Sequence, residues 1–176
     1  MKCLTAFLLM VLIPLGSHAS PPPKPLREGV RIYVEQVREP FADIGFHDAS
    51  GDESHLAQSN GTLRLVNFWA TWCAPCVEEL PQLQKLQQKY ASKLTVIAVN
   101  EDAKGFDAIT PFVKEHALEG LVHFHDKNQI EYRRLQMQGL PMSFLIDAKG
   151  GLIATIEGKI DWLGADMEGL IKANLE

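Results

Sequence analysis

Apolar positions come first as a block. Residues 4–15 form an apolar run behind the short positive lead of Met1-Lys2, and Ser17-His18-Ala19 follows as a small-x-small cleavage site. Residues 1–19 are therefore predicted to be a signal peptide, with the mature chain starting at Ser20. A spanning helix needs roughly 18–20 apolar residues, whereas this run stops at Pro14-Leu15-Gly16. An uncleaved membrane anchor is the alternative. Ser20-Pro21-Pro22-Pro23-Lys24-Pro25 then makes a proline-rich spacer with a polyproline II tendency. Across residues 26–39 the apolar positions Val30, Ile32, Val34 and Val37 alternate with charges and predict one edge strand.

From Pro40 the pattern switches between short strands and helices. Residues 41–48 and 53–57 flank Ser50-Gly51-Asp52 and predict a hairpin. Residues 63–69 are nearly all apolar, as in a central strand covered on both faces. The 3.6-residue spacing of Val77, Leu80, Leu83, Leu86 and Tyr90 predicts a helix over 74–90. A buried strand is expected at 94–99 and a helix at 107–117, with Pro111 in or near its first turn, where proline is tolerated. A strand at 122–125, a short helix at 129–136 and a hairpin of 142–146 with 152–156 follow. Asp161 is expected to cap a last helix running to about Asn174. The order is a βαβ half followed by a ββα half.

Composition narrows the class. With 176 residues, 46% hydrophobic and 22% charged, the chain has enough apolar surface for one globular core. A net charge of −5 argues against nucleic acid as a partner. No second hydrophobic run follows the first, so the mature chain is expected to be soluble, and periplasmic or otherwise exported. Cleavage would remove Cys3, which precedes the apolar run and is poorly placed for lipid attachment. Cys73 and Cys76 would remain, an even pair suited to an oxidising compartment.

Those two cysteines carry the chemistry. In Trp72-Cys73-Ala74-Pro75-Cys76 they stand at i and i+3, where a buried strand turns into a helix, and can close and reopen a small disulfide ring. Unpaired N–H groups and the macrodipole at the helix start favour a thiolate on the first cysteine. Cys73 is therefore expected to be the exposed nucleophile, and Cys76, one turn into the helix, the resolving thiol. Pro75 suits a first helical turn. Half of a zinc site is the bland alternative, with His123 and His125 completing it. Their i, i+2 spacing on a strand is not the usual zinc arrangement, and all six histidines are expected to be ordinary core or surface residues. Trp69 and Trp72 are expected to pack around the cysteines, Trp72 partly exposed. Asn60-Gly61-Thr62 fits a glycosylation acceptor formally but reads better as a turn.

The stretch from Leu65 to Pro81, with Gly139-Leu140-Pro141-Met142-Ser143-Phe144-Leu145-Ile146-Asp147 and the weaker Gly158-Lys159-Ile160-Asp161-Trp162, resembles the thioredoxin superfamily. Within it the chain is similar to the exported TlpA/ResA-type thiol-disulfide oxidoreductases, from about Phe41 to the C-terminus. The resemblance implies an α/β thioredoxin fold over residues 40–176: a central mixed sheet flanked by helices, with a β-hairpin extension at its N-terminal side. It implies that Pro141 is the family's cis-proline, presenting backbone to a substrate segment. It also implies a functional role for Glu79, three residues after Cys76. A partly buried carboxylate there would raise the Cys73 pKa and could shuttle its proton; the alternative is a solvated glutamate like Glu78. Asn67 stands where thioredoxins proper often carry a buried acid, and it cannot take a proton. Pro81 is expected to kink the helix.

The direction of exchange follows from what is missing. Neither histidine between the cysteines nor Lys or Arg at position 77 stabilises a thiolate, which makes the disulfide form relatively stable and the dithiol a better reductant. The resemblance points the same way, to reduction of disulfides in exported proteins, with cytochrome c haem-attachment cysteines or oxidase copper-site cysteines as candidate substrates. No cofactor is implied, because the chain has no flavin or nicotinamide motif. Its electrons would come, by resemblance, from a membrane thiol-transfer protein. Met142 and Leu140 beside Pro141 suggest an apolar substrate groove. A disulfide-forming oxidant and a Cu(I) metallochaperone using the cysteine pair are the alternatives. A peroxiredoxin would need P-x-x-x-T-x-x-C, but Ala70 stands three before Cys73 and residues 65–72 lack proline.

Overall fold

The protein's structure is a computed structural model that describes residues 30–59 and 61–175, with backbone alone at 58 and 59. The expected signal peptide, the proline-rich spacer, residues 26–29 and Asn60 lie outside the described residues. One sheet contains β1 (Arg31–Val34), β2 (Gly45–His47), β3 (Glu53–His55), β4 (Leu63–Trp69), β5 (Leu94–Asn100), β6 (Val122–His125), β7 (Met142–Ile146) and β8 (Leu152–Glu157). The helices are α1 (Ala74–Lys89), α2 (Phe106–Glu115), α3 (Ile130–Arg134) and α4 (Ala165–Lys172). Strand order across the sheet is β1-β8-β7-β4-β5-β6-β2-β3. The central β4, β5 and β6 run parallel, and every other pairing is antiparallel. This is the mixed α/β sheet expected, and none of the described helices is long and apolar enough to cross a membrane.

The unbroken apolar run of β4 has a direct cause. All seven of its residues are buried. Leu63, Leu65 and Trp69 join a core with Leu80, Leu83 and Leu86 of α1, Ile109 of α2 and Met167 and Ile171 of α4. On the opposite face Val66 and Phe68 pack with Ile44, Phe46, Val99, Phe144 and Ile146. A strand covered on both sides shows no alternation of polar and apolar residues. Each fully buried leucine stabilises the fold by roughly 1.5–3 kcal/mol. Two polar residues interrupt the run: Arg64, which donates to the Leu56 and Asp147 carbonyls at 3.1 and 2.9 Å, and Asn67.

The edge strand and hairpin form where expected. All four residues of β1 pair with β8 at the sheet's end. The hairpin of β2 and β3 is shorter than the alternation suggested, and its turn is held by Asp48 Oδ1, which accepts the Ser50 and Asp52 N–H groups. The pairing of His47 with His125 joins it to β6.

Several boundaries depart from expectation. On α1 the buried stripe is Cys76, Glu79, Leu80, Leu83 and Leu86, while Val77 is half-buried and Tyr90 is the C-terminal cap. The helix runs through Pro81 without a break. Pro111 is the sixth residue of α2, past the first turn. It denies a hydrogen bond to the Asp107 carbonyl, but both residues lie on the exposed side, where water can take that bond. Asp161 does not cap α4. Its Oδ1 accepts the Leu163 N–H at 3.2 Å and its carbonyl accepts the Gly164 N–H at 3.1 Å, making a local turn that delays the helix until Gly164 serves as N-cap. Helix α4 ends at Lys172, two residues before Asn174.

Candidate active site

Strand β4 delivers the chain to the end of the sheet at Trp69, and α1 begins five residues later. Between them Cys73 is the N-cap of α1 and its carbonyl accepts the Val77 N–H, while Pro75 lies in the first turn. Cys73 and Cys76 are joined in a disulfide, with an S–S distance of 2.05 Å and Cα atoms 5.3 Å apart. The spacing of one helical turn brings the two sulfurs together, as read from the sequence. Exposure differs from that reading. Cys73 is 5% accessible and joins the buried cluster of Ala70, Cys76 and Leu80, because the closed ring folds its side chain against the first turn of α1. Cys76 is fully buried. The outward-facing group is Trp72, 67% exposed, whereas Trp69 is wholly in the core.

The Leu140-Pro141 peptide bond is cis, at the entry to β7. The Pro141 carbonyl accepts the Gly158 N–H at 2.9 Å, which ties the segment after β8 to this corner. Leu140 is half-buried and Met142 buried, so the surroundings are apolar.

Glu79 is not the solvated glutamate of the alternative. It lies one turn beyond Cys76 on the same face of α1 and is completely buried. Its Oε1 accepts an Asn67 Nδ2 hydrogen bond at 2.7 Å, and its Oε2 receives the Ile160 N–H at a long 3.4 Å. The same Asn67 amide donates to Ser143 Oγ at 2.9 Å, directly across the β4–β7 pairing. The Trp162 indole N–H, buried and without a well-formed hydrogen bond, faces the carboxylate as well. Burial raises the Glu79 pKa to about 7, against the opposing pull of these donors and of the Lys159 charge. Lys159 itself pairs with exposed Glu78.

A second acidic group was not visible in the sequence. At the end of β5, Asp102 accepts hydrogen bonds from Thr71 N–H at 2.8 Å, Thr71 Oγ1 at 2.7 Å and Asn100 Nδ2 at 2.8 Å. These bonds clamp the loop that carries the cysteines to the neighbouring strand. Next to it Glu101 is 1% exposed, and both its carboxylate oxygens lack a donor among the described residues. Burial and the adjacent Asp126 push its pKa up to about 9. At neutral pH Glu101 therefore keeps its proton, which it can donate to Asp126. The available signal was Asn100-Glu101-Asp102 at the carboxyl end of a buried parallel strand, the edge where α/β sheets place their sites.

His123 and His125 are tied to backbone. Their Nε2 atoms bond the Leu118 carbonyl at 3.1 Å and the Asp102 carbonyl at 3.0 Å. The His123 ring stands edge-on to Trp69, and burial lowers its pKa. Among the described residues no three His, Cys, Asp or Glu side chains gather so as to hold a metal. The arrangement can make and break one disulfide, with a buried carboxyl able to exchange a proton near neutral pH.

Residues 36–170 match the Redoxin family. The chain is 35% identical to the thiol-disulfide oxidoreductase ResA of Bacillus thuringiensis over 113 residues, 64% of each protein. It is 31% identical to the thiol:disulfide interchange protein DsbE of Pseudomonas fluorescens over 169 residues, 90% of this chain and 83% of that one. Among solved structures, a Chlorobium tepidum protein provisionally named thiol:disulfide interchange protein DsbE superposes with a TM-score of 0.71 at 28% identity, covering 79% of this chain and 97% of that one. The chain spans about 64% of the length of the Bacillus relatives YneN and ResA.

Proposed function

The chain belongs to the Redoxin family, with relatives of the ResA and DsbE type, and from that premise we propose that it is an exported thiol-disulfide oxidoreductase that reduces disulfides in other exported proteins. One observation carries the reading: the Cys73–Cys76 disulfide closes at the N-terminus of α1, where Glu79 on the same helix face is buried and able to exchange a proton.

In the dithiol form the Cys73 thiolate attacks one sulfur of the substrate disulfide. The substrate S–S bond breaks, one substrate sulfur leaves as a thiolate and takes up a proton, and a mixed disulfide with Cys73 remains. Cys76 then loses its proton and attacks Cys73 Sγ. The second substrate sulfur leaves, and the intramolecular disulfide seen in the structure forms. Two electrons pass to the substrate. Glu79 is the base that takes the Cys76 proton, since Asn67 cannot. The substrate segment lies along the Pro141 corner. Pro141 has no N–H to donate and its carbonyl already accepts the Gly158 N–H, so the donor offered to that segment comes from the neighbouring backbone.

Each cycle leaves the pair oxidised, so a thiol donor must restore it. A membrane thiol-transfer protein fits a chain delivered across the membrane by residues 1–19. Apolar Leu140 and Met142 suit a substrate segment with apolar residues beside its cysteine, and cytochrome c haem-attachment or oxidase copper-site cysteines are the candidates that the family resemblance supplies. The test is trapping. The reduced C76S variant should accumulate a mixed disulfide with a protein disulfide substrate, reversible by dithiothreitol. C73S should accumulate none; equal trapping by C73S would contradict the assigned roles.

A further inference from the structure

A carboxyl that is completely buried ordinarily keeps its proton, because the charged form loses its hydration. Glu79 must lose and regain one if it is to serve Cys76. What faces it from each packed element bears on how it can. Strand β4 offers Asn67 and β7 offers Ser143. The segment after β8 offers the Ile160 N–H, the Trp162 indole and the Lys159 ammonium, which is itself paired with Glu78. Its own helix contributes Cys76 one turn back. The only hydrogen bond to Glu79 under 3 Å among the described residues is the one from Asn67.

We infer that Asn67, held in place by Ser143, is the positioning device that lets buried Glu79 both keep and release its proton, an inference that rests on the thiol-exchange reading above. The geometry is specific. The Asn67 amide places both N–H donors to use, one on Glu79 Oε1 and one on Ser143 Oγ, while its buried Oδ1 has no partner among the described residues. In this orientation the amide stabilises the charged carboxylate. When Glu79 takes a proton, its O–H needs an acceptor instead. A half-turn of the amide presents Oδ1 to it, and the Ser143 hydroxyl, which both donates and accepts, donates to Oδ1 instead. The amide N–H groups are then left on the side where Oδ1 in the first orientation has no partner among the described residues. A donor-only side chain at position 143 would fix the amide in one orientation, and an apolar one would fix it in neither. The same pair spans from α1, which carries Cys76 and Glu79, to β7, which starts directly after Pro141.

The experiment titrates Glu79 in the reduced full-length protein by carboxyl carbon NMR, alongside the pH profile of cysteine alkylation by iodoacetamide from pH 5 to 9. N67A should move the Glu79 midpoint upward by about a unit, a tenfold change in proton affinity, because the charged form loses its closest donor. S143A should move it several-fold in the same direction, and S143T, which keeps the hydroxyl, should restore it. S143A also covers the case in which N67A does not fold. An unchanged Glu79 midpoint in folded S143A, or in folded N67A, overturns the inference. The two arms separate failures. If Glu79 shifts in the NMR arm but E79Q leaves the alkylation profile of the wild type unaltered, the Asn67–Ser143 device stands and the assignment of Glu79 as proton acceptor falls.

Discussion

Glu79 and Glu101 are carboxyls that the fold buries without an ion-pair partner in contact among the described residues, and the same burial that prepares one of them for proton exchange makes both costly when charged. The sign is fixed by the direction of the shifts. Folded-state values near 7 and 9 lie above the ordinary 4.5, so between these values the folded protein binds more protons than the unfolded chain. Stability is therefore greatest below about pH 4.5 for these two groups and falls as pH rises through 7 and 9. E101Q keeps a donor for Asp126 without a titratable proton and should gain stability at pH 9 relative to wild type, on the order of 5 kcal/mol at about 1.4 kcal/mol for each pH unit between 4.5 and 9, with little change at pH 5. Urea unfolding at the two pH values measures it, and an equal effect at both would contradict the assignment. At this scale the sequence was unevenly legible. Cys73 and Cys76 are picked out by their spacing at a strand-to-helix turn, and Pro141 by the family pattern. Glu79 stood out only through the family pattern, since its helix position is equally consistent with solvent. Glu101 and Asp102 were hidden because a pair of acids after an apolar strand reads as an ordinary strand end until the partners from other segments are known.

The loop from Ala70 to Cys73 owes its shape to an element distant in sequence. Asp102 holds Thr71 by both its N–H and its hydroxyl, and the Glu101 N–H bonds the Trp69 carbonyl at 2.9 Å, so the start of α1 is fixed to the end of β5. D102A would leave the half-buried Thr71 donors and the buried Asn100 donor short of an acceptor. It should destabilise the protein by about 1.5–3 kcal/mol, the range for hydrogen bonds to a charged group, and slow reduction of a protein disulfide substrate. Thermal unfolding and a single-turnover reduction assay check both; a variant of unchanged stability would show that the clamp contributes nothing. Elements marked by an apolar run or a helical stripe were legible nearly to the residue: β4, β6 and β7 fall where those runs place them, and α1 starts at Ala74. Elements whose limits depend on local polar bonds were not. Asp161 resembles an N-cap in sequence, yet its side chain satisfies Leu163 and postpones α4 by a few residues. Pro111 reads as a helix start but sits mid-helix, because its missing bond falls on the wet side of α2.

Across the whole molecule the two-sided sheet is the reason the site works as one unit: β4 leads to the cysteines, β7 leads away from Pro141, β5 supplies the clamp, and these three strands are adjacent. Their pairing joins residues far apart in the chain, such as Arg64 of β4 with Ile146 of β7. The order of elements was legible from the hydrophobic pattern, but the register that sets Asn67 opposite Ser143 was not, since no local pattern encodes it. What the assembled site does depends on its electron affinity. No cationic side chain stands between or directly after the cysteines, and a carboxyl lies one turn beyond them; both features leave a Cys73 thiolate weakly stabilised and the disulfide correspondingly favoured. The most direct test is the equilibrium potential of the Cys73–Cys76 couple, measured by thiol alkylation in graded redox buffers. A value below about −220 mV, on the thioredoxin side of the known range, is the expected result for a reductase. A value above about −150 mV, toward the range of disulfide-forming oxidants, would contradict it.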